Sequence, residues 1–257
     1  MAVTSSADPE PVRDFDDSTL WRVSEFERVR AETGTSGFTR LGPSVLPTTL
    51  DSEFDRLRRE HRARDVLEVV AACLRQRESA LLLLRHRGLV WPLTLFPAVQ
   101  IYHLPVSIVE SLGQANADLE VLGVEPPGLP TPWQREIVDD PERPGYRLLA
   151  PLLWSLALHA PRPRLLDDIA GRAAYRLAPD FVLERVPAPG ALESVLRRLR
   201  SEIAPLAAIA AWLGMDAERA LRLLNGVYLQ GGLMVLRTHP AARRPTAWQR
   251  WRGRSGP

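Results

Sequence analysis

Apolar positions recur along the chain with different spacings, and each spacing predicts a different kind of element. Over residues 51–77, Phe54 and Leu57 open a stripe that broadens from Val66 to Leu74. That pattern predicts a helix buried on most sides, started by Asp51 or Ser52 as cap. Residues 79–85 and 89–96 are apolar runs separated by His86-Arg87-Gly88, which predicts strand, turn and strand. Pro92 in the second run points to an edge position, because it lacks the N–H that a central strand donates. Residues 99–104 predict a third strand. Ser107 and Glu110 have capping-box spacing, so a short helix is expected to end near Gly113. Residues 118–124 alternate and predict a returning strand. The prolines at 126, 127, 130 and 132 end both periodicities and mark a module boundary.

The second half reads as helical. Residues 146–159 are strongly apolar, and Leu165, Leu166, Ile169, Ala173 and Leu177 space out as a helical stripe. After a hinge at Pro187-Ala188-Pro189, residues 190–203 place Leu192, Val195, Leu196, Leu199 and Ile203 on one face. Then comes a compact succession. Pro205 opens a short helix with Leu206, Ile209, Ala210 and Leu213 inward, Gly214 stops it, and Asp216 caps a longer helix. In that longer helix Ala217, Ala220, Leu221, Leu224 and Tyr228 face the core, while Glu218, Arg219, Arg222 and Asn225 face outward. Gly231-Gly232 ends it, and Leu233–Leu236 returns as a strand.

Composition changes this picture at the two ends. Residues 1–50 are rich in Ser, Thr, Pro, Asp and Gly, which predicts disorder with one docking helix at 20–29, anchored by Trp21 and Phe26. The expected organisation is therefore an acidic N-terminus (1–50), an α/β module with a β-hairpin (51–132), a helical segment (133–189), a winged-helix-like domain (190–240) and a basic tail (241–257). The class is α+β, mainly helical. Residues 1–60 carry 8 Arg against 12 acids, residues 61–236 carry 19 against 19, and residues 237–257 carry 6 Arg and no acid. The pI near 9.1 is thus a property of the tail.

All 33 basic residues are arginine, a bias that fits a GC-rich bacterial genome. Lysine Schiff-base chemistry, a Walker A lysine and a kinase β3 lysine are excluded. The one cysteine, Cys73, excludes an internal disulfide and lies among apolar residues, as a buried small side chain does. No signal peptide opens the chain and no apolar run approaches a membrane span, so a cytoplasmic protein is expected. His61, His86, His103, His159 and His239 have no metal-ligand spacing. No nucleophile elbow, P-loop or dinucleotide glycine pattern is present, and no cofactor, metal or catalytic residue is expected. Asp139-Asp140 falls in a proline-flanked turn. Asp167-Asp168 falls early in a predicted helix, where the macrodipole already favours acids.

The stretch LAAIAAWLGMDAERALRLLNGVYLQGGLMVL resembles the winged helix-turn-helix superfamily. The resemblance covers about a fifth of the chain and implies either of two roles. As a DNA-binding regulator, Glu218, Arg219, Arg222 and Asn225 would face base edges, and Arg197, Arg198, Arg237, Arg243 and Arg244 the phosphates. As a protein-binding module, the same surface would meet a partner, which the acidic Asp216 and Glu218 at the helix start favour. Residues 66–74 followed by Ala80-Leu81-Leu82-Leu83-Leu84-Arg85-His86-Arg87-Gly88 resemble the PATAN-type regulatory proteins of bacteria. Trp91-Pro92 and Phe96-Pro97 stand where that family has a basic or glycine-rich hairpin. The family implies a non-enzymatic signalling adaptor, with a GTPase or a motility component as partner. Trp248 and Trp251, interleaved with arginines, suit stacking on single-stranded nucleic acid, an anionic membrane surface or a partner groove.

Overall fold

A computed structural model of the chain describes residues 20–34, 36, 45–104, 119–132, 138, 145–159, 164–182 and 190–242. The expected helix after Ser107, the Asp139-Asp140 turn, the hinge at Pro187, and Arg243, Arg244, Trp248 and Trp251 lie outside these residues. The described residues divide into two compact units, the first running to Leu148 and the second from Leu149. Both combine helices with antiparallel sheet, an α+β class.

In the first unit the expected helix over residues 51–77 is two helices, α2 (Thr48–Arg59) and α3 (Val66–Gln76). The break has a local cause. His61 takes a positive φ of 56°, and Asp65 accepts from the Leu67 and Glu68 N–H groups at 3.0 and 3.3 Å to start α3 anew. Starting at Thr48 instead of Asp51 lets α2 bury Leu50 with Phe54 and Leu57. Helix α3 is buried on every side of its first eight residues. Its Glu68 is ion-paired at 3.1 Å with Arg62, itself buried, which makes the burial of that carboxylate tolerable. Cys73 is fully buried, and burial pushes its thiol up to about 12, so it is a packing group.

The sheet of this unit contains β1 (Trp21–Arg22), β2 (Ala80–His86), β3 (Leu89–Phe96), β4 (Ile101–His103), β5 (Glu120–Glu125) and β6 (Tyr146–Leu148). The order is β5-β2-β3-β4-β6, with β1 also on β3, and every pairing is antiparallel. The hairpin and both returning strands stand where the hydrophobic runs put them. Pro92, however, is in a central strand. Among the described residues the β1 pairing reaches only Val90 and the β4 pairing begins at Thr94, so no paired strand stands opposite Pro92 on that side. The Val23 N–H to Gly88 O bond of 3.0 Å sets the alternation that turns the Pro92 nitrogen into that gap. Helix α1 (Val23–Thr33) lays Phe26 on Leu81, Leu83 and Val90, with Trp21, Val23 and Leu122 packed around them. The docking helix expected near residues 20–29 therefore anchors to its own sheet.

The second unit holds α4 (Leu149–His159), β7 (Ala174–Leu177), α5 (Ala191–Ser201), β8 (Ala204–Pro205), α6 (Leu206–Ile209), α7 (Ala217–Leu229) and β9 (Leu233–Leu236), then a 3-10 turn at Pro240–Ala242. Here the helical reading of residues 165–177 fails. Residues 167–169 form a turn and Ala174–Leu177 is the middle strand of a three-stranded antiparallel sheet, β8-β7-β9. The spacing of Leu165, Leu166, Ile169, Ala173 and Leu177 imitates a helix because all five are buried, but a turn and a strand bury them. Among the described residues no helix is long and apolar enough to cross a membrane.

Candidate interaction site on the second unit

Helix α7 organises this unit. Gly214, at φ 76°, makes the turn before it, and a Cβ there would sit 2.6 Å from the Ala191 Cβ, so the start of α5 passes too close for any side chain. Asp216 caps α7 as its sequence predicts, its Oδ1 accepting from the Arg219 N–H at 2.8 Å. Ala220, Leu223, Leu224 and Val227 form the buried stripe, and Gly226 lets the ring of Trp154 and the Ala157 methyl of α4 lie against the helix backbone. The stripe is rotated from the one the spacing suggested. Ala217 is exposed, whereas Leu223 and Val227, not counted inward, are fully buried.

That rotation decides the fate of the residues expected to face a nucleic acid. Asn225 is only 1% exposed. Its Oδ1 accepts from the Leu166 N–H at 2.9 Å and its Nδ2 donates to Arg164 O at 3.2 Å, so it is a core residue that holds the segment before β7. Arg222 is half-withdrawn, with 15% of its side chain exposed. Its Nη1 donates to Leu158 O at the end of α4, and its Nε donates to Glu218 Oε1 at 3.0 Å. Arg219 donates to Gly214 O at 2.9 Å and lies 3.8 Å from the Asp216 carboxylate. Arg237 is folded back, donating to Ala170 O and Asp168 O at 2.8 Å each. Arg197 pairs with Glu193 of α5 at 2.5 Å, and Arg198 with Glu202, the residue that follows the helix, at 2.6 Å. Asp168 accepts from the Tyr228 hydroxyl at 3.0 Å.

Glu218, Arg219 and Arg222 do come together. With Asp216 and His159 they line one side of an open cleft of about 530 Å³, which Leu158 and Leu192 complete. The cleft carries two carboxylates and two guanidiniums already engaged with each other or with carbonyls. With these charges paired, the cleft presents no net positive charge to a phosphate.

The feature that spacing missed stands beside it. Leu213 was expected inside the short helix, but α6 ends at Ile209 and Leu213 is 97% exposed. Its neighbour Trp212 lies under the Arg198 guanidinium, 4.2 Å from the ring centroid. The four-residue length of α6 is the cause: a helix carried on to Gly214 would have turned Leu213 inward. In the first unit His103 packs its ring 4.7 Å from that of Tyr146 on the neighbouring strand, the setting of a structural histidine.

No family model matches this chain, no curated protein matches its sequence, and no solved structure matches its fold.

Proposed function

We propose that the chain is a non-enzymatic bacterial regulatory adaptor of the PATAN type, whose second unit is a winged-helix-like module that contacts a protein. What supports the winged-helix reading is the succession α5, β8, α6, α7, β9, which is helix, strand, helix, helix, strand. It departs from that fold in one respect: the strand between β8 and β9 comes from before α5, where a winged helix takes it from the second strand of the wing hairpin, which would follow β9. The observation that carries the choice of partner is the contrast on α7. Asn225 and Arg222 are consumed inside the unit, whereas the apolar Leu213 stands almost wholly in water next to a charge-balanced cleft. An exposed large apolar side chain with satisfied charges around it suits a protein interface better than a polyanion.

The alternative is a DNA-binding regulator, and one experiment separates the two. Affinity capture with the wild-type chain and with Leu213→Asp, from the native lysate, is expected to retain a specific protein on the first and not on the second. Leu213 is nearly free of contacts, so the variant keeps its fold. Duplex binding at low salt that is lost on Arg219→Ala would instead establish the DNA reading, because electrostatic contacts are strongest there.

A further inference from the structure

The three-stranded sheet of the second unit has two edges, and among the described residues only one is guarded. At the β8 edge Pro205 removes a donor, and the 3-10 turn Pro240–Ala242 packs alongside. In the first unit the β5 edge is likewise occupied, since the Val121 N–H donates to Arg64 O and Leu122 O accepts from Arg30. Strand β9 has none of these devices. Leu233-Met234-Val235-Leu236 is uncharged and free of proline, and among the described residues no strand lies beyond it. The nearest charge, Arg237, is withdrawn onto Ala170 and Asp168.

The hydrogen-bond alternation shows what that edge offers. The Ala178 N–H donates to Gly232 O at 2.8 Å, which makes Ala178 and Gly232 a hydrogen-bonded pair. The register continues Leu177 with Leu233 and Arg176 with Met234. Alternation then directs the backbone of Met234 and Leu236 to β7, and turns the N–H and C=O of Leu233 and Val235 outward. Leu233 and Val235 share the face of the buried Tyr175 and Leu177, yet they are only half-buried, and among the described residues no strand extends the sheet past them. Met234 is 39% exposed on the other face.

We propose that β9 pairs antiparallel with β9 of a second copy of this chain, about a two-fold axis through Met234. In that register Leu233 faces Val235 of the second copy and Val235 faces its Leu233. All four outward groups on each strand are then satisfied, and two three-stranded sheets become one of six. The pattern is self-complementary: the two outward residues are equidistant from Met234, so one strand supplies what the other lacks. A strand without charge also carries nothing to orient an unlike partner or to repel its own copy. The two Met234 residues meet as a non-hydrogen-bonded pair, with Cα atoms about 4.5 Å apart. The inference does not depend on what Leu213 contacts.

Sedimentation equilibrium over a dilution series tests it. The wild-type chain is expected to reach twice its 28.7 kDa mass. Met234→Arg, which sets two cations across the axis without touching the core, is expected to be a monomer with an unchanged circular dichroism spectrum. Val235→Pro removes one outward N–H while sparing the β7 ladder, and should give the same loss by a separate route. Met234→Cys under mild oxidation is expected to yield a covalent dimer. The wild type will not, since its one thiol, Cys73, is buried. A wild-type chain that stays monomeric at its highest concentration overturns the proposal. So does a dimer that survives Met234→Arg, or a Met234→Cys chain that does not cross-link.

Discussion

Asn225 shows how one side chain can carry a tertiary connection. Its Oδ1 accepts from the Leu166 N–H and its Nδ2 donates to the Arg164 carbonyl, some sixty positions away. Asn225→Ala leaves a buried donor and acceptor without it, and we expect a loss of about 3 kcal/mol, read by urea denaturation. A residue facing a ligand from the surface would cost almost nothing, so an unchanged midpoint refutes the core assignment. Glu53 is the corresponding device in the first unit. Its carboxylate accepts from Arg56 at 2.6 Å and from Arg75 of α3, and the Arg56 bond, with help from Arg75, holds it below the usual carboxylate range. A carboxyl depressed on folding contributes stability above its unfolded pKa and loses it as pH falls through the folded value. The melting temperature of the wild type is thus expected to fall faster below about pH 4.5 than that of Glu53→Gln. Parallel curves would show that the link between α2 and α3 is electrostatically neutral.

At the scale of elements, Gly226 sets the approach of α7 to α4. A Cβ at that position would lie 2.7 Å from the Trp154 ring and 3.3 Å from the Ala157 methyl. Helix propensity alone favours alanine over glycine by about 1 kcal/mol. The clash works the other way, and overpacking of this kind costs about 1–3 kcal/mol. Gly226→Ala is therefore expected to destabilise, where the same change on an exposed helix would stabilise. A higher melting temperature for Gly226→Ala would mean that α4 gives way. The short α6 has the opposite character. It stops after one turn, which leaves Leu213 in water and supplies the apolar contact that the proposed adaptor role uses.

For the whole molecule, charge is segregated by position along the chain. Residues 1–242 carry 28 Arg against 31 acids, so the +2 of the full chain depends on the five arginines from Arg243 onward. Any low-salt retention on duplex DNA or heparin should therefore vanish when the chain is cut after Ala242, and should not change with Arg219→Ala. Retention by the cut chain would place an anion-binding surface on residues 1–242 instead. The protein contact through Leu213 is expected to survive that truncation.

What the sequence by itself determined lies within a turn or two of chain. The hairpin of β2 and β3, the Asp216 cap, the turn at Gly214 and the strand Leu233–Leu236 all rest on donors, acceptors and steric limits a few residues apart. The two-helix break at His61 is legible in Asp65, a cap as good as Asp51 or Ser52 that stands directly before the apolar run from Val66. The tertiary structure decided the rest. That β9 pairs with β7 depends on chain nearly sixty residues away, and the apolar spacing of β7 with the preceding turn is compatible with a helix. Whether Asn225 is a surface reader or a core clamp turns on about one residue's rotation of α7, which its packing on Trp154 sets. Periodicity records that a side chain is buried or exposed; it does not record what stands opposite it, and for a site made of contacts that is the decisive quantity.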